Sequence, residues 1–470
     1  MMAHVLAFAS PLQGHLSPML KLAEALAIEG LLVTFLTTEH VYHKLGGADA
    51  PLCRRRQGLR LRSVPDGLPA DHPRLAGHLW EIMQSLRDTS GEKYRELLVP
   101  LGKEEPDGWP PVTCTIVDAL LSFAAEELGI PVMAFRAGSP CSFWAYFFVP
   151  KLIEQGEIPF PEGCDMDELV RGVPGMEGLL RRRDLPGFCR AKDANDPIIQ
   201  ATMLTTQWNP RARGLIFNSV EPMDAAVLAH IRTICPVTYT VGPLHNLVRA
   251  LDPAHIATAG LWRENQTCLA WLDAQPSKSV VFVSFGSLAV LSRAQLLEFW
   301  HGLLNTRHRF LWVIRPDLLD ETGGPGDLPF ELTQEAKEKG CLVVEWAPQQ
   351  AVLAHPAVGA FLTHSGWNST LESIGAGVPM VCWPLFFDQT LNSRYVSEVW
   401  RAGVDMKDTC DRATVEKMVR AVMEGEAAAE LRRNAAALAE MVRSCVGEGG
   451  SSRVGLEKLV QAIRAMSSGE

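Results

Sequence analysis

The chain has 470 residues, 47% hydrophobic and 21% charged, which is enough apolar material for two full cores. A formal net charge of −10 argues against nucleic acid and anionic membrane surfaces as partners, and no apolar stretch approaches the length that spans a bilayer. Eleven scattered cysteines without a C-x-x-C pair point to reduced thiols in the cytosol and not to a disulfide framework.

The first ten residues, MMAHVLAFAS, lack a basic n-region, and their short apolar stretch reads as a strand over residues 4–9. Residues 10–15 read as a loop and Ser17-Pro18 as a helix start with proline at the first helical position. Leu20, Leu22, Ala23, Leu26 and Ala27 continue a helical stripe that Gly30 stops before a strand at 32–36. That order is a βαβ unit. Strands are expected at 113–117 and 131–135 around a helix at 121–128, then at 214–218 and 237–241. Residues 243–271 show few apolar repeats and read as an interdomain connection. A second αβ series follows, with strands at 279–285, 310–314, 341–344, 358–362 and 379–383. The expected class is α/β: two doubly wound Rossmann-like domains facing across a cleft, at 1–242 and 276–452, with a linker at 243–275 and a final amphipathic segment at 453–470. The basic runs Arg54-Arg55-Arg56 and Arg181-Arg182-Arg183 read as solvated loops.

The densest chemistry lies in residues 346–389, WAPQQAVLAHPAVGAFLTHSGWNSTLESIGAGVPMVCWPLFFDQ. A short apolar run ends in Thr363-His364-Ser365-Gly366 and a helical pattern follows from Trp367 to Ala376, closed by Gly377. The free N–H groups and positive dipole of that helix start form an anion site, with His364, Asn368 and Ser369 as further donors. Trp346 follows another strand and offers a flat ring to a base. Glu372 lies one turn deeper, where a carboxylate can accept from a ribose diol. Asp388 and Gln389 follow the next strand with acceptors and an amide suited to sugar hydroxyls. Asn368-Ser369-Thr370 is also a glycosylation sequon, and modification there would block the anion site, so a chain using it should avoid the secretory pathway.

This segment resembles the signature box of plant family-1 UDP-dependent glycosyltransferases, from its first tryptophan to its last glutamine. The resemblance implies the GT-B fold, a final helix that returns to the first domain, a soluble and monomeric cytosolic enzyme, and UDP-glucose as donor without a metal or other cofactor. It implies that Trp346 stacks on uracil with Ala347 beside it, that Gln349 and Glu372 bind ribose, and that His364, Gly366, Asn368 and Ser369 bind the diphosphate. Trp367, Asp388 and Gln389 would hold the sugar, a final Gln being associated with glucose. Ser287, in the turn Phe285-Gly286-Ser287, is a further candidate for the leaving phosphate.

Away from the box, His15 sits between the first strand and helix, and Asp118 ends the strand expected at 113–117 on the same rim. An imidazole there can take a proton from an acceptor hydroxyl, and a carboxylate can hold its tautomer. Position alone leaves capping roles equally open for both; the resemblance assigns them as base and orienting acid in an inverting transfer. Asp165-Met166-Asp167 has the D-x-D form of metal-dependent transferases but lies in a Pro- and Gly-flanked loop, and reads as solvated. For the acceptor, Trp80, Met83, Phe143 and Phe386 are candidates. Arg136 ends the strand at 131–135 and either pairs with an acceptor carboxylate or bridges Glu126 or Glu127. The neighbourhood of residues 181–188 is similar to the branch acting on terpenoid and iridoid acids, while phenolic and flavonoid acceptors stay open. A nicotinamide oxidoreductase would need a G-x-G-x-x-G turn after the first strand, which is absent. A non-catalytic UDP-sugar or small-molecule binding protein is the remaining alternative.

Overall fold

The computed structural model describes residues 2–74, 78–103, 105, 108–121, 124, 129–254, 261–319 and 330–468. The first sheet contains β1 (His4–Phe8), β2 (Leu32–Thr38), β3 (Leu59–Val64), β4 (Cys114–Asp118), β5 (Val132–Arg136), β6 (Leu215–Phe217) and β7 (Thr238–Thr240). All pairs are parallel, in the order β3-β2-β1-β4-β5-β6-β7. The second contains β8 (Val280–Ser284), β9 (Arg309–Val313), β10 (Leu342–Val344), β11 (Val358–Thr363), β12 (Met380–Cys382) and β13 (Gly403–Asp405), also parallel, in the order β10-β9-β8-β11-β12-β13. Central strands such as β1, β4 and β8 are buried along their whole length, as expected where helices cover both faces of a sheet.

Each sheet reverses its winding beside its first strand, between β1 and β4 and between β8 and β11. Crossovers leave in opposite directions there and open a crevice at the carboxyl ends. Residues just beyond these four strands are therefore placed to meet a ligand.

Several local expectations are corrected. The first helix runs Gln13–Ile28, so His15 lies in its first turn and Pro18 falls inside it. β3 and β13 were not foreseen: β3 alternates Leu59 and Leu61 with Arg60 and Arg62 at a sheet edge, and β13 has only three residues. Of the helix expected at 121–128, residues 122–123 and 125–128, including Glu126 and Glu127, lie outside the described residues. The stretch after Pro243 is not irregular, because Leu244, Leu247, Val248 and Leu251 form an i, i+3, i+4, i+7 stripe on the helix Leu244–Leu251. That helix packs on the core of the first domain, and a second one follows at Thr267–Asp273.

The last helix, Ser451–Ser468, also joins the first domain. Leu456, Leu459, Val460 and Ile463 enter the core formed by Val5, Leu26 and Val33. Arg453 pairs with Glu29 at 3.0 Å, and Arg464 Nη2 donates to the Glu29 carbonyl at 2.7 Å.

The Arg181-Arg182-Arg183 run is an ion network and not a solvated loop. Arg181 Nε donates to Asp184 Oδ2 at 3.0 Å, while Lys407 and Arg394 from the second domain approach the same carboxylate at 2.7 and 3.5 Å. Arg183 and Arg190 both bond Asp408 at 3.0 Å. Asp167 of the D-x-D tripeptide is engaged by Arg181 and Arg183. Asp184 is adjacent in sequence, but Lys407, Arg394 and Asp408 lie more than two hundred residues away, and they cannot be read from the run itself.

Candidate active site

His15 and Asp118 meet at the first crevice. His15 Nδ1 lies 2.9 Å from Asp118 Oδ2; the aspartate is fully buried, and the imidazole keeps 27% of its side-chain surface exposed. An ionised carboxylate can only accept, so Nδ1 carries the proton and the lone pair rests on Nε2. Asp118 Oδ1 accepts from the Leu120 N–H at 3.0 Å. The two roles open to Asp118 thus coexist, one oxygen capping a turn and the other orienting the imidazole.

Pro18 explains how the second domain reaches this corner. A proline has no N–H, so the carbonyl four residues earlier, that of Gly14, loses its helical donor. Asn368 Nδ2 supplies the missing donor at 2.7 Å from across the cleft. The residue next to His15 is thereby tied to the first turn of the helix Trp367–Ala376.

No side chain caps the N-terminus of that helix, whose N-cap is Gly366, so its first N–H groups are left for a ligand anion. His364 stands beside it, after β11. Burial pushes its pKa down to about 4, reinforced by the nearby Arg315 cation, so the ring is a neutral donor near pH 7. Space for the ring comes from two glycines: a Cβ on Gly286 or on Gly366 would come within 2.5 Å of it. Gly286 also has φ +72°, and it precedes the half-buried Ser287 in the turn after β8. Ser287 and His364 therefore flank the second crevice.

Behind the helix start, Gln349 Nε2 donates to Ser369 Oγ at 3.0 Å and to Glu372 Oε2 at 2.7 Å, and Gln350 Nε2 donates to Glu372 Oε1 at 3.0 Å. Burial raises the Glu372 pKa, and the two amides offset this in part. Trp346 is half-buried with one face stacked on Trp262, centroids 5.5 Å apart at 21°, and Ala347 beside it is buried. Trp262 was not foreseen from sequence, being remote and in a stretch without pattern. The Trp367 indole is sealed against the first domain and donates to the Asn218 carbonyl at 2.7 Å, so only its backbone faces a ligand at the helix start.

Gln389 Oε1 accepts from Leu385 and Phe386 N–H at 2.9 and 3.1 Å, which fixes the carboxamide and leaves its NH₂ as donor. Asp388 Oδ2 accepts from Asn392 Nδ2 at 2.9 Å, and burial raises its pKa while Asn392 and His15 act against that rise. Asn392 was missed: its Oδ1 accepts from Ser139 Oγ of the first domain at 2.7 Å, and Nδ2 also donates to the Ser365 carbonyl at 2.9 Å. Its position four residues after Asp388, on the same helical face, was the available signal.

The acceptor candidates divide. Phe143 is fully buried beneath the Arg136 guanidinium, with Cζ 5.0 Å from the ring centroid. Phe386 and Met83 are half-buried, and Trp80 is 45% exposed. Arg136 itself is 7% exposed, at the carboxyl end of β5.

A corner holding an oriented imidazole, facing an uncapped helix start and a neutral histidine donor, can remove a proton from one reactant and stabilise an anionic leaving group on the other. The family model described as UDP-glucoronosyl and UDP-glucosyl transferase matches residues 211–442. The chain is 46% identical over 473 residues to a 7-deoxyloganetic acid glucosyltransferase of Catharanthus roseus, covering 98% of each. It is 47% identical to a myricetin 3-O-rhamnoside 1,2-glucosyltransferase of Crocosmia x crocosmiiflora, covering 99% of this chain and 96% of that one. Among solved structures, Os79 of O. sativa in complex with UDP superposes with a TM-score of 0.83 at 28% identity, covering 98% of this chain and all of that one.

Proposed function

The chain belongs to the family of UDP-glucoronosyl and UDP-glucosyl transferases, and from that premise we propose an inverting transfer of glucose from UDP-glucose to a small plant metabolite. Its two parallel-sheet domains are the GT-B fold of that family.

The observation that carries the mechanism is the 2.9 Å contact of His15 with Asp118, opposite the uncapped Trp367–Ala376 helix. In the proposed step, His15 Nε2 takes the proton of an acceptor hydroxyl as its oxygen forms a bond to the anomeric carbon. The bond from that carbon to UDP breaks, and its electron pair leaves on the β-phosphate oxygen. Asp118 stabilises the imidazolium that results. The first N–H groups of the helix, His364, Ser287, Ser369 and Asn368 receive the diphosphate charge, and no metal is invoked. Trp346 and Ala347 take the base, Gln349 and Glu372 the ribose, and Asp388, Gln389 and the Trp367 backbone the sugar.

The acceptor class we propose is a terpenoid or iridoid acid, with flavonoids and other phenols next; the names of the two relatives support both. Among the described residues no helix is long and apolar enough to cross a membrane, and the eleven cysteines are unpaired; the unpaired thiols support a place in the cytosol, and a monomer is the state we propose with it.

A mass-spectrometric screen of acidic terpenoids, flavonoids and simple phenols with UDP-glucose tests the reading. UDP release should require acceptor and fall at least about 10³-fold in His15→Ala with UDP binding retained. UDP-glucose binding without turnover on any acceptor would favour a non-catalytic binding protein. Transfer from UDP-galactose or UDP-xylose alone would overturn the role given to Gln389.

A further inference from the structure

Arg136 is more than nine-tenths buried at the rim where His15 and Asp118 meet; its backbone belongs to the β5–β6 ladder, but among the described residues its guanidinium makes no hydrogen bond or ion pair. The guanidinium lies over the Phe143 ring, Cζ 5.0 Å from its centroid. The charged groups that act on it are Asp118 and Asp388, and both carboxylates have other hydrogen-bond partners: Asp118 holds His15 Nδ1 and the Leu120 N–H, and Asp388 holds Asn392. Burial lowers the Arg136 pKa, a sign that these neighbours do not repay its desolvation. A second donor lies in the same neighbourhood. Tyr146, one helical turn after Phe143, has a buried hydroxyl without a partner, and burial raises its pKa, keeping it a neutral O–H.

A guanidinium costs several kcal/mol to bury alone, and its planar fork matches a carboxylate. We propose that Arg136, assisted by the Tyr146 hydroxyl, binds the carboxylate of an acceptor that also carries the hydroxyl to be glucosylated. The acceptor is then a hydroxy monocarboxylic acid on a compact apolar skeleton. Its carboxylate anchors it on Arg136, and its hydroxyl reaches His15 Nε2. This inference rests on the glucosyl transfer proposed above and specifies the substrate for the same site.

The test uses the full-length enzyme, UDP-glucose, and a hydroxylated monoterpenoid acid beside its methyl ester. The parent should favour the acid by about 10- to 100-fold in kcat/KM, mostly through KM, as charge-assisted hydrogen bonds of this kind allow. Arg136→Leu should bring the ratio to about one, largely by loss of the acid, while Arg136→Lys keeps part of the preference as a point charge. UDP affinity by calorimetry should be unchanged in both variants, which shows that they fold. Equal use of acid and ester by the parent, an equal loss of both in Arg136→Leu, or a product in which glucose is esterified to the carboxylate would each overturn the assignment. Transfer to neutral phenols alone would overturn it too, leaving the transferase reading intact; absence of transfer to every acceptor would instead overturn that reading.

Discussion

Asn368 of the second domain donates to the carbonyl of Gly14 in the first at 2.7 Å, filling the position that the ring of Pro18 leaves without a donor. One side chain at the start of the Trp367–Ala376 helix thus also holds the turn that carries His15. Asn368→Ala should therefore weaken UDP binding about tenfold and also lower kcat at saturating donor. Calorimetry with UDP and steady-state kinetics separate the two; a change in affinity with kcat intact would deny the link to His15.

Gly286→Ala should act through His364. The added methyl cannot share space with the imidazole, and φ +72° strains any L-residue there. We expect UDP affinity to fall at least about tenfold with the chain still folded, as seen by calorimetry beside a thermal melt. Unchanged affinity would remove His364 from the diphosphate contacts.

Asp184 stands at the centre of the interdomain ion network. Burial alone would raise its pKa, but Arg181 and Lys407 hold it below the usual carboxylate range. Removing it leaves Lys407, only 5% exposed, without that counter-charge. Asp184→Ala should cost about 3–5 kcal/mol in denaturant unfolding at pH 7. Because the folded pKa lies below the unfolded one, this contribution is present above about pH 4 and fades as pH falls through the lowered folded value. A loss equal at pH 7 and pH 2.5 would contradict the assignment.

Asp224 behaves in the opposite sense. It is buried, with Ser219 Oγ donating to Oδ2 and Oδ1 lacking a partner, and burial raises its pKa from 3.8 to about 7. Between those values the folded protein holds a proton that the unfolded chain releases, so stability falls as pH rises. Asp224→Asn should be near neutral at pH 4 and stabilising above pH 7, by on the order of 2–4 kcal/mol. Chemical denaturation at the two pH values reads this directly, and a gain independent of pH would refute it.

The residues that surround the two crevices were legible because each follows a strong apolar strand: His15 after β1, Asp118 at the end of β4, His364 after β11. The winding of the sheets then does the rest. What could not be read depends on partners distant in sequence. The Arg181-Arg182-Arg183 run, with Asp184 next to it in sequence, looks solvated until Lys407 and Asp408 are brought beside it. Trp262 carries no local pattern that marks it, whereas Asn392 is marked only by its i, i+4 spacing from Asp388. Pro18 departs from expectation for a different reason: proline at a first helical position is the common arrangement, whereas here it lies inside the helix and its cost is offset from another domain. The Leu244–Leu251 stripe is present in the letters, set among the polar residues His245, Asn246 and Arg249.

The last helix has a consequence for the order in which the protein can be made. Residues 456–463 complete the core around β1 and β2, so a nascent chain that has left the ribosome only as far as β7 still exposes the apolar groove they fill. The first domain to be synthesised is therefore the last to be finished. A fragment ending near residue 252, which keeps the Leu244–Leu251 helix, should be prone to aggregate, and adding residues 451–468 as a separate peptide should rescue its solubility.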